Sequence, residues 1–189
     1  DLSIRDLTAG HTKDPGICSG GVLYFSGCRD VTVDGCGLFG CGTVGVWADT
    51  SEDLHVTGSR IYECSSSAVD VSTCRNVLVE DCQIDSIGTT QSWSAYAVFA
   101  AHHCENFVVS GCRISDNWAD LLLVSDYSRG TLFLSNLADN NQVSSAFAAF
   151  QFAPVVDGCL FTDQALINAW YSGDSISVMG EDGTFLDEA

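Results

Sequence analysis

Val31-Thr-Val-Asp-Gly-Cys-Gly-Leu38 is the stretch that decides the fold, because variants of it recur along the chain. The starts at Val31, Leu54 and Val77 are 23 residues apart, and the next start, Phe107, follows after 30 residues. Weaker copies begin at Leu2, Gly130, Pro154 and Ile176. A nearly fixed period of this length predicts stacked supersecondary units rather than a closed globule.

Each full repeat contains short apolar stretches separated by turns of Gly, Ser, Asp and Asn. In the second repeat these are Val31-Thr-Val33 and Val44-Gly-Val-Trp-Ala48. Alternation with a period of two predicts strands with one buried face, and such a short repeat leaves no room for a helix. The skeleton of leucine-rich repeats is missing, and a propeller blade needs about 40–45 residues. The sequence therefore predicts an all-β parallel β-helix, a solenoid of seven to eight turns of about 23 residues each.

Stacking the repeats in this register places similar residues above one another. Five places after the starts stand small, weakly polar residues, which we expect to point inward: Cys36, Ser59, Cys82, Cys112, Ser135 and Cys159. Agreement between the turns at such a position supports the chosen register.

Two more columns precede the starts. Immediately before four of them stand residues that suit a tight corner, since Asx side chains accept left-handed geometry. These residues are Asp30, Asp53, Asn76 and Asn106. One place earlier stand Arg29, Glu52, Arg75 and Glu105. Opposite charges on neighbouring strands contribute roughly 0.2–1 kcal/mol per pair, so this column predicts a stabilising charge ladder.

The ten cysteines are interpreted as structural thiols. The chain contains no Cys-x-x-Cys, so the usual zinc and redox signatures are absent. Several cysteines are equivalent on consecutive turns: Cys41 and Cys64, Cys74 and Cys104, Cys82 and Cys112. Stacked side chains about 4.8 Å apart suit a disulfide poorly. We expect mostly free thiols and no metal, with a disulfide or a metal site as the alternatives.

Composition narrows the class of partner. The chain is 46% hydrophobic, and seven basic against 25 acidic residues give a formal charge of −18. A surface this acidic repels phosphate backbones and anionic lipid, so we expect no nucleic-acid or membrane partner. We predict one β-helix domain over residues 1–179, as a piece of a longer protein, and an acidic C-terminal tail over residues 180–189.

The chain resembles the right-handed parallel β-helix (pectin-lyase-like) proteins. The likeness rests on its Val-x-Val-x-x-Cys-x-Ile strands and on corners such as Cys74-Arg-Asn-Val77 and Cys104-Glu-Asn-Phe107. Residues 10–25 and 38–43 look like those of bacterial β-helix proteins of uncharacterised activity. The resemblance implies a right-handed solenoid and carries over no catalytic residue. It also implies a secreted or cell-surface location, whereas many free thiols favour a reducing or anaerobic setting, so localisation stays open.

Two repeats are longer than the others, and their extra residues fall at the same corner. The insertions are residues 11–17 and 87–94, three turns apart and thus about 14 Å from each other. Insertions in solenoids form loops on one face, which is often the binding face. The candidate ligand-binding residues there are His11, Asp14, Gln91 and Trp93. The alternative is that these loops only cover the side of the solenoid.

The strand before the Asx corner offers a second candidate surface. Its expected outward column is Tyr24, Trp47, Asp70, Ala100, Leu123 and Phe147, and a flanking outward column is Ser26, Asp49, Ser72 and His102. Exposed aromatic rings beside carboxylates are suited to sugars, because a ring face stacks while acids bind hydroxyls. We therefore predict ligand-binding roles for Tyr24, Trp47 and His102. Asp49 and Asp70 are the weak candidates for a catalytic carboxylate pair.

Three functional hypotheses follow. The leading one is a non-catalytic module that acts as a spacer or recognises a carbohydrate or another protein domain. The second is a polysaccharide-active hydrolase or lyase; only a lyase would need a cofactor, Ca²⁺, together with a basic residue such as Arg29 or Arg75. The third is a purely structural module that self-associates through the open ends of its solenoid.

Overall fold

The computed structural model describes residues 1–12, 20–40, 44–88 and 95–162. All regular elements in these residues are β-strands. The first four turns contain twelve of them: β1 (Leu2–Arg5), β2 (Thr8–His11), β3 (Gly21–Ser26), β4 (Arg29–Asp34), β5 (Gly37–Gly40), β6 (Val44–Asp49), β7 (Glu52–Thr57), β8 (Arg60–Tyr62), β9 (Ser67–Ser72), β10 (Arg75–Glu80), β11 (Gln83–Asp85) and β12 (Ala95–His102).

The later turns repeat the same order of strands. They contain β13 (Glu105–Ser110), β14 (Arg113–Ser115), β15 (Trp118–Asp126), β16 (Leu132–Leu134), β17 (Leu137–Asp139), β18 (Gln142–Phe150), β19 (Val155–Asp157) and β20 (Leu160–Phe161). The described residues thus form six complete three-strand turns and two strands of a seventh. We expected seven to eight turns, and the start at Ile176 lies outside the described residues.

Each strand pairs in parallel with the strand three places later in the chain, and this pairing produces three sheets wound around one core. Sheet A has the order β1-β4-β7-β10-β13-β16-β19, sheet B the order β2-β5-β8-β11-β14-β17-β20, and sheet C the order β3-β6-β9-β12-β15-β18. The pairing register joins Val31 to Leu54, Leu54 to Val77, and Val77 to Phe107. The repeat starts predicted from the sequence therefore stack directly, and the predicted parallel β-helix is confirmed.

The core is a set of apolar columns inside the three sheets. In sheet A one such column is Val33, Val56, Val79, Val109, Phe133 and Val156, all essentially inaccessible to solvent. Side chains of like shape stack because each inward position of a strand lies over the same position of the next turn, about 4.8 Å away. Among the described residues, no helix is long and apolar enough to cross a membrane.

The corner before sheet A has the predicted geometry. Asp30, Asp53, Asn76 and Asn106 all have positive φ, between 53° and 58°. Their side chains also form a ladder, since the Asn76 amide donates to Asp53 (2.8 Å) and the Asn106 amide donates to Asn76 (3.0 Å). On the next turn Gly130 takes this corner position with φ of 66°.

Small polar side chains line the corners as hydrogen-bonding columns. The Cys36 amide donates to Ser59 Oγ (3.0 Å), and the Cys74 amide donates to Cys104 Sγ (3.4 Å). Each Cys or Ser side chain of these columns also donates to the carbonyl two residues before it; Ser59, for example, donates to Thr57 O (2.9 Å). Asn136 donates instead to Val109 O (3.0 Å). The two longest columns are Cys36, Ser59, Cys82, Cys112, Asn136, Cys159 and Cys28, Ser51, Cys74, Cys104, Ser128. These columns satisfy corner amides that the sheet ladders leave without a partner.

The thiols belong to this framework. Eight cysteines of the described residues are free, and seven of them are buried. Burial, together with the nearby Glu63, raises the pKa of the Cys64 thiol to about 12. A hydrogen bond to Cys74, together with burial, raises the pKa of Cys104. Thiols whose pKa is raised in this way stay protonated at neutral pH and are poor nucleophiles. Cys18 and Cys41 lie outside the described residues.

The register predicted for the sixth turn was wrong by one residue. That turn starts at Thr131 and not at Gly130, because Val108 pairs with Leu132. Asn136 therefore occupies the inward column, and Ser135 is exposed. Leu123 and Phe147, which pair in register with each other, are core residues rather than outward ones. The additional residue lies between β14 and β15, because Leu123 follows Ile114 by nine positions whereas the equivalent Val69 follows Ile61 by eight.

Candidate functional site

The outer face of sheet C carries the side chains that sequence analysis singled out. Strands β3, β6, β9, β12 and β15 place Tyr24, Trp47, Asp70, Ala100 and Val124 in one outward column. The flanking column runs Ser26, Asp49, Ser72, His102, Asp126 and Phe150. We call this surface the sheet C face. The predicted candidates Tyr24, Trp47, Asp49, Asp70 and His102 therefore share it.

Tyr24 and Trp47 form an exposed aromatic pair at one end of the sheet C face. Their ring centroids are 4.9 Å apart with the planes inclined by 51°. Tyr24 is 54% exposed and Trp47 is 38% exposed. Because the two residues stand in register on β3 and β6, the rings are adjacent on consecutive turns. Large exposed rings are suited to the flat apolar surface of a ligand.

Carboxylates and a histidine follow on the next turns. Asp70 lies in register with Trp47, and Asp49 lies in register with Ser72, so the two carboxylates are diagonal neighbours on adjacent turns. His102 Nδ1 is 3.4 Å from Asp126 Oδ2. Burial raises the pKa of Asp70, and the nearby His102 acts in the opposite direction. The result is a half-buried carboxyl that holds its proton more strongly than a solvated one.

Tyr96 was missed by sequence analysis. Its ring is 51% exposed, and burial of its hydroxyl together with the charges of Asp126, Asp120 and Asp70 raises its pKa. It therefore lies close to the acidic part of the sheet C face. Tyr96 lies near the start of β12, which is longer than the preceding strands of sheet C. Its position could be predicted from the next repeat start only if the length of β12 were known.

On the later turns, the column that continues from Asp70 is apolar and mostly buried. Ala97, Ala100 and Val124 are buried, and Leu121 and Ala148 pack against them. Ala100 thus has the outward position that the sequence predicted but is not exposed. The accessible part of the face comprises the aromatic pair with the neighbouring acidic residues and, on the last turn, Phe150, which is 57% exposed.

Only a few residues of the two insertions belong to the described part of the chain. His11 ends β2 in sheet B, where it pairs with Gly40, and is half-buried. The structure therefore does not bring His11 onto the sheet C face. Asp14, Gln91 and Trp93 lie outside the described residues. The flanking strands do place both insertions between sheet B and sheet C and three turns apart, as predicted.

Of the two basic residues considered for a lyase, one forms the predicted ion pair and the other does not. Arg29 NH2 is 2.7 Å from Glu52, so this side chain is paired as the charge ladder predicts. Arg75, by contrast, has no carboxylate within ion-pair distance in the described part of the chain. No group of three or more His, Cys, Asp and Glu side chains that could hold a metal ion occurs among the described residues.

Comparison with known proteins identifies the architecture. The family model described as "right handed beta helix region" matches residues 20–182. A search of curated proteins gives no significant match. Among solved structures, a trypsin-treated variant of QnrB1, a plasmid-mediated fluoroquinolone resistance protein, is similar at 10% identity and a TM-score of 0.18, over 77% of this chain and 92% of that one. Full-length QnrB1 gives 11% identity and a TM-score of 0.16, over 77% and 94% of the two chains. TM-scores this low do not establish a common fold.

Proposed function

Because the chain belongs to the right-handed β-helix family, we propose that it is a non-catalytic recognition module whose sheet C face binds a carbohydrate. The observation that carries this proposal is the exposed Tyr24–Trp47 pair beside Asp49 and Asp70. Sugar rings stack their apolar face on aromatic rings and donate their hydroxyls to carboxylates. The rigid stack of turns supports both groups without any rearrangement.

The charge of the surroundings points to a neutral sugar. Asp49, Asp70, Asp120 and Asp126 all lie on or beside the sheet C face, and His102 is already close to Asp126. A uronate or sulfated sugar would meet this negative field and lose affinity. Neutral hexoses offer hydroxyl donors to the same carboxylates at no such cost.

Binding to a glycan array tests the proposal, with Trp47→Ala as the diagnostic variant. Loss of one stacking ring should weaken binding roughly 3- to 10-fold, as expected for an aromatic contact of about 0.5–1.5 kcal/mol. The matched control is Tyr62→Ala, which disrupts the stacked Phe39–Tyr62 pair on sheet B. Equal loss in both variants, or no saturable binding to any neutral glycan, would reject the sheet C face as the binding site.

A polysaccharide hydrolase is the second candidate function. One observation favours it: the pKa of Asp70 is raised by burial, and Asp49 stands on the adjacent turn. A general acid with a raised pKa and a second carboxylate are what glycoside hydrolysis requires. Product analysis after incubation with neutral and acidic glycans, with and without Ca²⁺, separates the candidates. Glycan cleavage by the wild type that is abolished in Asp70→Asn would show that the protein is an enzyme and not a non-catalytic binding module.

A further inference from the structure

A groove of about 570 Å³ runs along the corner between sheet C and sheet A. One wall is the ladder of alternating charge, and we call the feature the charge-ladder groove: Arg29, Glu52, Arg75, Glu105 and Arg129. Consecutive members pair in register, and the bridge between Glu105 and Arg129 extends the ladder one step beyond the four residues found from the sequence. The groove is separate from the sheet C face, which lies around the corner.

Two arginines of the charge-ladder groove differ from the others. Within the described part of the chain, Arg75 and Arg129 are exposed and have no carboxylate within ion-pair distance. The other described arginines are each paired with an acidic residue of a neighbouring turn: Arg5 with Asp34, Arg29 with Glu52, Arg60 with Asp85 and Arg113 with Asp139. Both unpaired guanidinium groups thus line one groove in a chain with a charge of −18.

The unpaired groups are placed to bind an anion. The guanidinium carbon of Arg129 lies 4.6 Å from the centre of the Phe152 ring, which holds this side chain in place. Guanidinium groups bind carboxylates through paired hydrogen bonds. Arg75 and Arg129 are two turns apart, which corresponds to about 9.6 Å at the usual strand spacing. The groove therefore presents two anion-binding groups at a fixed separation.

We propose that the charge-ladder groove binds a polypeptide in the polyproline II conformation with acidic side chains three residues apart. This conformation has three residues per turn and rises about 3.1 Å per residue, so residues i and i+3 point to the same side about 9.3 Å apart and match the two arginines. At the same end of the groove, His103 and Tyr127 stack with ring centroids 5.0 Å apart and planes inclined by 4°. This stack gives an apolar surface for the side chains of such a peptide.

Glu105 favours a polypeptide over an acidic glycan. It stands between Arg75 and Arg129 in the ladder and has no ion pair among the described residues. A polymer with a carboxylate on every sugar would place one of them opposite Glu105, where like charges repel. A polypeptide can place a basic or neutral residue there. The alternation of charge along the groove therefore fits a chain of mixed sequence.

A set of synthetic ten-residue peptides tests the proposal. Each peptide carries two aspartates separated by zero to five alanine or serine residues, and binding to the whole protein is measured by fluorescence anisotropy. We expect the highest affinity when two residues separate the aspartates. Arg75→Gln should weaken that binding about three- to fivefold, the effect of one exposed ion pair of up to about 1 kcal/mol. Raising the salt concentration should weaken it further.

The control variant is Arg113→Gln, which removes an exposed arginine on sheet B that is paired with Asp139. It should leave peptide binding unchanged, as should Trp47→Ala, so failure here and failure of the carbohydrate proposal are distinguishable. Affinity that does not depend on the aspartate spacing would overturn the proposal. So would equal losses in Arg75→Gln and Arg113→Gln, or tighter binding of an oligouronate than of any peptide.

Discussion

At the scale of single residues, the cysteines are explained by hydrogen bonding. Cys, Ser and Asn alternate in the corner columns because each supplies an acceptor to an amide of the preceding turn and a donor to a carbonyl. The column of Cys36, Cys82 and Cys112 could be predicted from the sequence because Cys and Ser are interchangeable in it. Asn136 was not predicted, because the start of the sixth turn was placed one residue too early and Ser135 was assigned to the column instead.

This explanation predicts different effects for two substitutions of Cys104. Cys104 Sγ accepts a hydrogen bond from the Cys74 amide and donates to His102 O (3.3 Å). Serine keeps both roles, as Ser51 and Ser128 do in the same column. Cys104→Ala leaves a buried amide without a partner and should lower the free energy of unfolding by about 1–3 kcal/mol relative to Cys104→Ser. Urea denaturation measures the difference; equal stability of the two variants would contradict the hydrogen-bonding role.

Asp70 gives a prediction about pH. Burial raises its pKa above the ordinary value of 3.8. A pKa that is higher in the folded state means that Asp70 stabilises the fold fully below its unfolded pKa, and that this contribution is lost as the pH rises through the folded pKa. Asp70→Asn should therefore raise Tm relative to the wild type at neutral pH. The difference should shrink as the pH falls towards the ordinary carboxyl range, and parallel pH profiles of Tm for the two proteins would contradict this.

At the scale of elements, the corners were more predictable than the strand faces. The Asx residues before sheet A indicated left-handed geometry directly, and four of them have it. Alternation along β12 was a less reliable guide to which side chains face outward, because Val98 and Phe99 are consecutive and both belong to the core. A local irregularity of this kind shifts which side chains face outward without changing the composition. It cannot be detected from the apolar pattern alone.

The left-handed corner can be tested at Asn76, whose φ is 53°. Asn76→Gly keeps the backbone geometry and loses only the exposed side-chain bonds to Asp53 and from Asn106. Asn76→Val must hold a β-branched residue in the left-handed region, which costs roughly 1–2 kcal/mol more. Denaturation curves of the two variants should differ by this amount. If valine were tolerated as well as glycine, the corner would not have the geometry described.

At the scale of the whole molecule, the sequence predicted the architecture, whereas it left several functions open. Periodicity reports on stacking, because every turn must bury the same columns. The candidate sites depend on exposed side chains that different repeats contribute. Stacking the repeats already placed Trp47 and Asp70 in one predicted outward column. Tyr96 and the arginines without an ion pair, Arg75 and Arg129, became visible only in the structure.

Both proposed binding surfaces are columns of the stack, so parallel in-register pairing of successive turns is the central claim. Nuclear Overhauser effects between backbone protons test it most directly in a protein of 20.1 kDa. The structure predicts contacts between the α-protons of one strand and the amide protons of the strand on the next turn, around the pairs Leu54–Val77 and Val77–Phe107. Strong contacts between α-protons of strands adjacent in the sequence, as in antiparallel hairpins, would contradict the account.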